Sequence, residues 1–228
     1  MAGFDGLTAP GDDGALGSIP PGVQQSAVRA VKVPPAMLTC PQDSPTATAA
    51  HALRRHPASL CVAVRAIEAC ARLAENGNLA LSYRLHGDPE SIRIPEPALP
   101  SASDGLWQHT CLEAFVAAVD GPEYREFNFS PSGQWANYRF SAGRQRDFGF
   151  IPPVAPQIAF HHCADGFRLD AVIARELLPT DAILNIGLAA VIEAGDGSKS
   201  YWALTHCAAQ PDFHLRQSFS LTLQRPTP

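Results

Sequence analysis

The stretch that most constrains the fold runs from residue 106 to 140, LWQHTCLEAFVAAVDGPEYREFNFSPSGQWANYRF. Residues 110–118 alternate between apolar and polar or small side chains. Asp120-Gly121-Pro122 then breaks the pattern, residues 124–130 resume it, Pro131-Ser132-Gly133 breaks it again, and residues 135–140 close it. Period-two alternation between turn-forming residues predicts a three-strand antiparallel meander.

A meander fixes which side chains share a face, because each turn sets the register of its strands. With the first turn centred near Asp120-Gly121 and the second a loop over residues 131–134, Leu112, Ala114, Val116, Phe127, Phe129, Tyr138 and Phe140 fall on one face. Glu113, Phe115, Glu126, Asn128, Trp135, Asn137 and Arg139 fall on the other. This register sets Glu126 opposite Arg139 and Glu113 opposite Asn128. The first face is a core. The second is either a solvated sheet or a platform for a ligand.

The rest of the chain supplies more strands. Alternation over 66–73 competes with helix propensity. Asn76-Gly77, a hairpin turn signal, and a strand-like run at 79–85 decide for strand. Further strands are expected at 92–94, 157–162, 167–173, 184–193, 200–205 and 219–223, with one helical turn at 175–178 and an irregular segment at 141–156. About ten strands with almost no helix predict an all-β antiparallel sandwich or barrel. Residues 1–50 are rich in Gly, Pro and Ala and lack a sustained period. They are expected to form a disordered extension before a domain at 51–225.

Composition narrows the function classes. The 228 residues are 46% hydrophobic and 17% charged, with a formal net charge of −5, so no basic surface points to nucleic acid. No apolar run is long enough to cross a membrane, and no basic-then-apolar leader opens the chain. Cys40, Cys61, Cys70, Cys111, Cys163 and Cys207 are widely and irregularly spaced, with no Cys-x-x-Cys pair. That usage suits scattered reduced thiols and a cytoplasmic location.

Several residues are candidates for chemistry. Trp107, Trp135 and Trp202 lie near strand ends, where a flat ring can stack on a pyranose while carboxylates, amides and Arg bind its hydroxyls. They can equally cap the core, since aromatic rings bury large areas. His109, His206 and His214 are candidates for a metal or an axial haem position if the sheets bring them together, although their spacing matches no zinc pattern. They can equally be loop histidines with ordinary hydrogen bonds. Glu113 and Glu126 could act as a hydrolase pair, but Asn128 and Arg139 account for them as cross-strand partners. Cys111 with His109 lacks an orienting third group. There is no phosphate-binding loop, dinucleotide fingerprint or nucleophile elbow.

Three segments, at 106–116, 124–135 and 211–223, together resemble the DOMON-like proteins of bacteria, which are close to the family 9 carbohydrate-binding modules. The shared pattern is a Trp, then a strand carrying a Glu, then Tyr-x-x-Phe-x-Phe-x-Pro-x-Gly followed by an aromatic residue. A Phe-His and a last apolar strand follow near the end, and residues 200–206 also fit. The resemblance covers about residues 51–225 and implies a β-sandwich of roughly ten strands that binds a ligand without altering it. In the carbohydrate branch, Trp107, Glu113, Glu126, Asn128, Trp135 and His214 occupy motif positions. Arg139, Trp202 and His206 join them as candidates from the residue reading. In the haem branch a Met with a His or Lys is the usual axial set. Met37 lies outside the matched region, so haem b would need two histidines.

The leading expectation is therefore a saccharide-binding module. A haem-binding electron-transfer or sensor domain, a glycoside-active enzyme and a protein-binding scaffold are the alternatives.

Overall fold

The computed structural model describes residues 49–59 and 62–226. The expected N-terminal extension lies almost wholly outside them, as do Met37, Cys40 and Cys61. Cys111, Cys163 and Cys207 are free thiols.

Twelve strands form among the described residues. They are β1 (His51–Arg55), β2 (Val64–Leu73), β3 (Leu79–Gly87), β4 (Cys111–Ala118), β5 (Tyr124–Phe129) and β6 (Trp135–Ala142), followed by β7 (Gln145–Arg146), β8 (Gln157–Cys163), β9 (Gly166–Ile173), β10 (Ile183–Glu193), β11 (Lys199–Ala203) and β12 (Leu221–Gln224). Every strand pairing is antiparallel. The first sheet runs β1-β2-β3-β9-β8 and the second runs β1-β11-β10-β4-β5-β6-β7, with β12 on the other part of the β10 edge. β1 belongs to both, pairing β2 through His51, Ala52 and Leu53 and β11 through Arg54 and Arg55. A strand that changes sheets is one way in which two packed sheets make a corner.

The residue-level logic is alternation. Ile67, Ala69 and Ala71 on β2, with Leu79, Leu81, Tyr83 and Leu85 on β3, turn one side of the first sheet inward. Leu112, Ala114 and Val116 on β4, Phe127 and Phe129 on β5, and Leu184 to Ile192 at every second position on β10 meet them from the second sheet. The Tyr83 hydroxyl crosses the core and donates to the Glu113 carbonyl at 2.7 Å, fixing β4 against the first sheet.

The all-β sandwich expectation holds, with three adjustments. β1 and the two-residue β7 were not anticipated, because neither is long enough to show alternation. Residues 92–94 contribute a single bridge, Ile92 to Ala194, in place of a strand. The single turn expected at 175–178 is a 3-10 turn at Arg175–Leu177.

The meander itself carries one register correction. β4 and β5 pair as expected, with Glu113 opposite Asn128. β5 and β6 are shifted by one residue, so Glu126 faces Tyr138 while Arg139 faces Arg125. The cause is the turn. Ser130 N–H donates to the Gln134 carbonyl at 2.9 Å, so Gln134 is still paired and only Pro131-Ser132-Gly133 forms the loop. Gly133 closes it at φ 91, in the left-handed position that three-residue hairpins require. The slip moves Tyr138 and Phe140 to the face of Glu126 and sends Trp135, Asn137 and Arg139 to the reverse face.

Candidate functional site

The outward face of the second sheet is neither flat nor polar. Phe115, Ala117, Tyr124, Ala136, Tyr138, Phe140, Ala189, Ala203 and Phe219 form a second apolar cluster there. Side chains of the sheet and three loops enclose a cavity of about 860 Å³ over this face, within the size range of small-molecule sites. Glu113 and Glu126 lie in its floor, between Val191 and Tyr201 on one flank and Tyr138 and Phe140 on the other.

The walls follow from how β10 shares its edge. β12 pairs the first part of that strand, Ile183 to Ile186, and β11 pairs the last part, Ala189 to Glu193. The chain between β11 and β12 leaves at this gap and folds across the outward face. Gly187 sits in the gap, where an added Cβ would stand 2.9 Å from the Phe219 ring. With no side chain at 187, Phe219 lies down on the sheet and packs 5.6 Å from Phe115 and 5.7 Å from Tyr124, centre to centre. Ser218 Oγ donates to the Leu215 carbonyl at 2.6 Å and Arg216 Nη2 donates to the Ala118 carbonyl at 2.7 Å, which holds the loop down. Phe213 and His214 are thereby set against the cavity.

The opposite wall is built from two segments tied to each other. Trp107 lies on the 3-10 turn Leu106–Gln108 and is 52% exposed, so its ring is free to be stacked upon. Arg144 and Arg146 come from the hairpin after β6. Arg146 Nη2 donates to Asp104 at 3.1 Å, and its guanidinium lies 4.0 Å over the Tyr138 ring. Arg144 Nη2 donates to Asp212 at 2.8 Å, joining this hairpin to the His214 loop.

The floor concentrates ionisable groups in little water. Burial pushes the Glu113 carboxyl well above the usual range, and the nearby Glu126 charge pushes it the same way. Its Oε1 has no hydrogen-bond partner, and neither does the Oδ1 of Asn128 directly across the strand pair. Glu126 is pushed up to about 7 by burial, with the Asn128 hydrogen bond and the Arg144 and Arg146 charges opposing. Asn128 Nδ2 donates to Glu126 Oε1 at 2.8 Å.

His214 completes the polar chain. The Arg144 backbone N–H donates to the Tyr124 hydroxyl at 3.1 Å, and that hydroxyl meets His214 Nδ1 at 2.8 Å. With the hydroxyl proton given to Nδ1, the imidazole carries its own proton on Nε2, 3.7 Å from Glu126 Oε2. Burial and the Arg144 charge push His214 down to about 4, so it is neutral at pH 7 and meets Glu126 as a dipole.

Trp107, Glu113, Glu126 and His214 thus line one cavity, and Asn128 lies under it, buried. The other candidates are elsewhere. Trp202 is in the core between the sheets, its Nε1 donating to Ser200 Oγ at 2.9 Å. Trp135 and Arg139 are on the reverse face of the meander through the register shift. Arg139 pairs with Asp147 there, under the Phe150 ring. His206 Nε2 donates to the Arg54 carbonyl at 2.8 Å, and the ring packs edge-on against His56. His109 Nδ1 lies 2.7 Å from Glu193 Oε2. The three histidines weighed as metal or haem ligands therefore have three separate sets of partners. Among the described residues no group of three His, Cys, Asp or Glu is arranged to hold a metal. His214 spends Nδ1 on Tyr124, and its Nε2 lies 3.7 Å from Glu126 Oε2.

Sequence reasoning missed Tyr124, Tyr138, Tyr201, Arg144, Arg146 and Phe213 as site residues.

No protein-family model matches the chain, and no curated protein matches it. Solved structures do. A family 9 carbohydrate-binding module from Caldicellulosiruptor kristjanssonii in complex with glucose superposes with a TM-score of 0.55 at 8% identity, covering 79% of this chain and 85% of that one. This chain has the family 9 carbohydrate-binding-module fold. A structure of a family 9 module from the same organism with cellotriose matches at a TM-score of 0.51 and 11% identity, covering 78% of this chain and 82% of that one. A protein from Bacteroides uniformis ATCC 8492 that is proposed to bind carbohydrate matches at 0.54 and 14% identity, covering 71% and 78%. At these identities the family 9 likeness is one of fold, and the side chains of the cavity belong to this chain.

Proposed function

We propose that the protein is a saccharide-binding β-sandwich and that the cavity over the second sheet is its site. One observation carries the reading. The cavity joins an open aromatic ring, Trp107, to a buried carboxyl group, that of Glu113, whose Oε1 has no partner within the protein. A sugar offers what both lack, a C–H face to lie on the indole and hydroxyl donors for the acceptor. A buried polar atom without a partner costs about 1–3 kcal/mol, and a ligand hydroxyl that meets it recovers that cost on binding. The shared fold supports the reading, since the family 9 structures hold glucose and cellotriose.

Isothermal titration of the full chain with glucose and with cellotriose tests it. Saturable binding is expected, weakened at least tenfold by Trp107→Ala. Absence of binding to both sugars and to a broad glycan array would overturn it.

A further inference from the structure

We infer that the cavity selects saccharides that carry a free primary ammonium group. The inference rests on the saccharide reading and narrows its ligand class.

The argument is a count of donors, acceptors and charges at the floor. Glu113 is 3% exposed and Asn128 is fully buried, yet Glu113 Oε1 and Asn128 Oδ1 both lack a donor. Asn128 Nδ2 is committed to Glu126 Oε1 at 2.8 Å, while the neutral His214 Nε2 stands 3.7 Å from Glu126 Oε2, beyond hydrogen-bond reach. Even with one proton on Glu113, the four carboxyl oxygens and Asn128 Oδ1 outnumber the donors that face them, that proton and Asn128 Nδ2. A neutral sugar hydroxyl can fill one acceptor site. An ammonium brings three donors and the opposite charge.

The charges point the same way. Arg144 pairs with Asp212 at 2.8 Å and Arg146 with Asp104 at 3.1 Å, so each cation at the wall has a carboxylate of its own, although both still favour the ionised form of Glu126. The other titratable groups facing the two glutamates are neutral at pH 7. Burial raises Cys111, Tyr124 and Tyr138 and lowers His214. What remains without an arginine or lysine in an ion pair is the Glu113–Glu126 pair. The Glu126 charge pushes Glu113 toward its protonated form, and no protein cation is ion-paired with either.

This arrangement makes ligand charge visible in protons. A neutral sugar leaves the Glu113 proton in place, because a hydroxyl does not offset the burial of a charge. A bound ammonium stabilises both carboxylates and so expels a proton from the pair.

The test is isothermal titration of the full chain at pH 7 with glucosamine, glucose, N-acetylglucosamine and glucuronate. Each titration is run in two buffers that differ in ionisation enthalpy. Glucosamine should bind at least tenfold more tightly than glucose and N-acetylglucosamine, with glucuronate weakest, and glucosamine alone should release a substantial fraction of a proton. Glu126→Gln should bring the glucosamine-to-glucose ratio to within about threefold. The buffer comparison on the parent protein carries the test if that variant does not fold. Glucose or N-acetylglucosamine binding as tightly as glucosamine, or glucosamine binding without proton release, would overturn the ammonium inference and leave the saccharide reading standing. Failure of all four sugars to bind would overturn the ammonium inference, and failure of cellotriose and the glycan array as well would overturn both.

Discussion

Glu126 and His214 pull the stability of the fold in opposite directions as pH changes. The folded-state pKa of Glu126 is raised to about 7, above its unfolded value. Its contribution is therefore fully present below the unfolded pKa and is lost as pH rises toward 7. His214 is lowered to about 4, below its unfolded value. Its contribution is present above the unfolded pKa and is lost as pH falls toward 4. The two windows overlap between about pH 4.5 and 6.5, where the slopes oppose, each at most about 1.4 kcal/mol per pH unit. Relative to the parent, Glu126→Gln should make stability rise more steeply with pH across that window. Urea denaturation at half-unit pH steps measures it, and a difference curve of the opposite sign would contradict the assigned shifts. The tryptophans divide at the same scale. Trp202→Ala removes a core side chain and should cost about 3–5 kcal/mol of stability. Trp107→Ala removes an exposed ring and should cost less than about 0.5 kcal/mol. Thermal melts of the two variants separate them. Sequence alone could not assign these roles, because stacking platforms and core caps use the same residue type at strand ends. The burial of Trp202 follows from its register opposite Ala190, and that depends on the whole of β10.

At the scale of elements, two glycines set the site. Gly133 lets a three-residue loop join β5 to β6, and the loop length decides which face of β6 looks into the cavity. An added Cβ there would meet only the Ala98 carbonyl, at 3.7 Å, so the cost of Gly133→Ala is conformational, about 1–2 kcal/mol. A melt should show that loss with the β-sheet circular dichroism unchanged. Gly187 leaves room for Phe219. Gly187→Ala should cost about 1–3 kcal/mol through overpacking. It should also weaken ligand binding, because Phe219 anchors the loop that carries His214. A variant that melts earlier but binds cellotriose as the parent does would separate that loop from the site. The strands of the meander were legible from alternation, and so was the β4–β5 register. The β5–β6 register was not, because Gln134 can end a loop or begin a strand, and a polar residue beside Gly marks both. Arg144 and Arg146 were visible only as charges in an irregular stretch. Their place at the cavity depends on Asp212 and Asp104, which lie 68 and 42 residues away along the chain.

Across the whole molecule, the two sheets divide the work. The inner faces supply the continuous core, and Tyr83 ties that core to the backbone of Glu113. The outward face of the second sheet, lined with its own aromatic cluster, is free to hold a cavity without opening the core. The outward face of the first sheet carries a different pattern, an ion-paired surface in which Asp165 accepts from Arg84 and contacts His86. Fold class was readable from composition, turn spacing and alternation, because an all-β chain repeats those signals along its length. The site was readable only in part, because it assembles loops far apart in sequence over one patch of sheet. The account stands on that patch being where ligand binds. Nuclear magnetic resonance of the full chain titrated with cellotriose locates it directly. The account predicts that the Trp107 indole signal and the amides around Glu126 and His214 shift while the Trp202 indole does not. Shifts gathered instead around Glu68, Arg84 and His86 on the first sheet would contradict it.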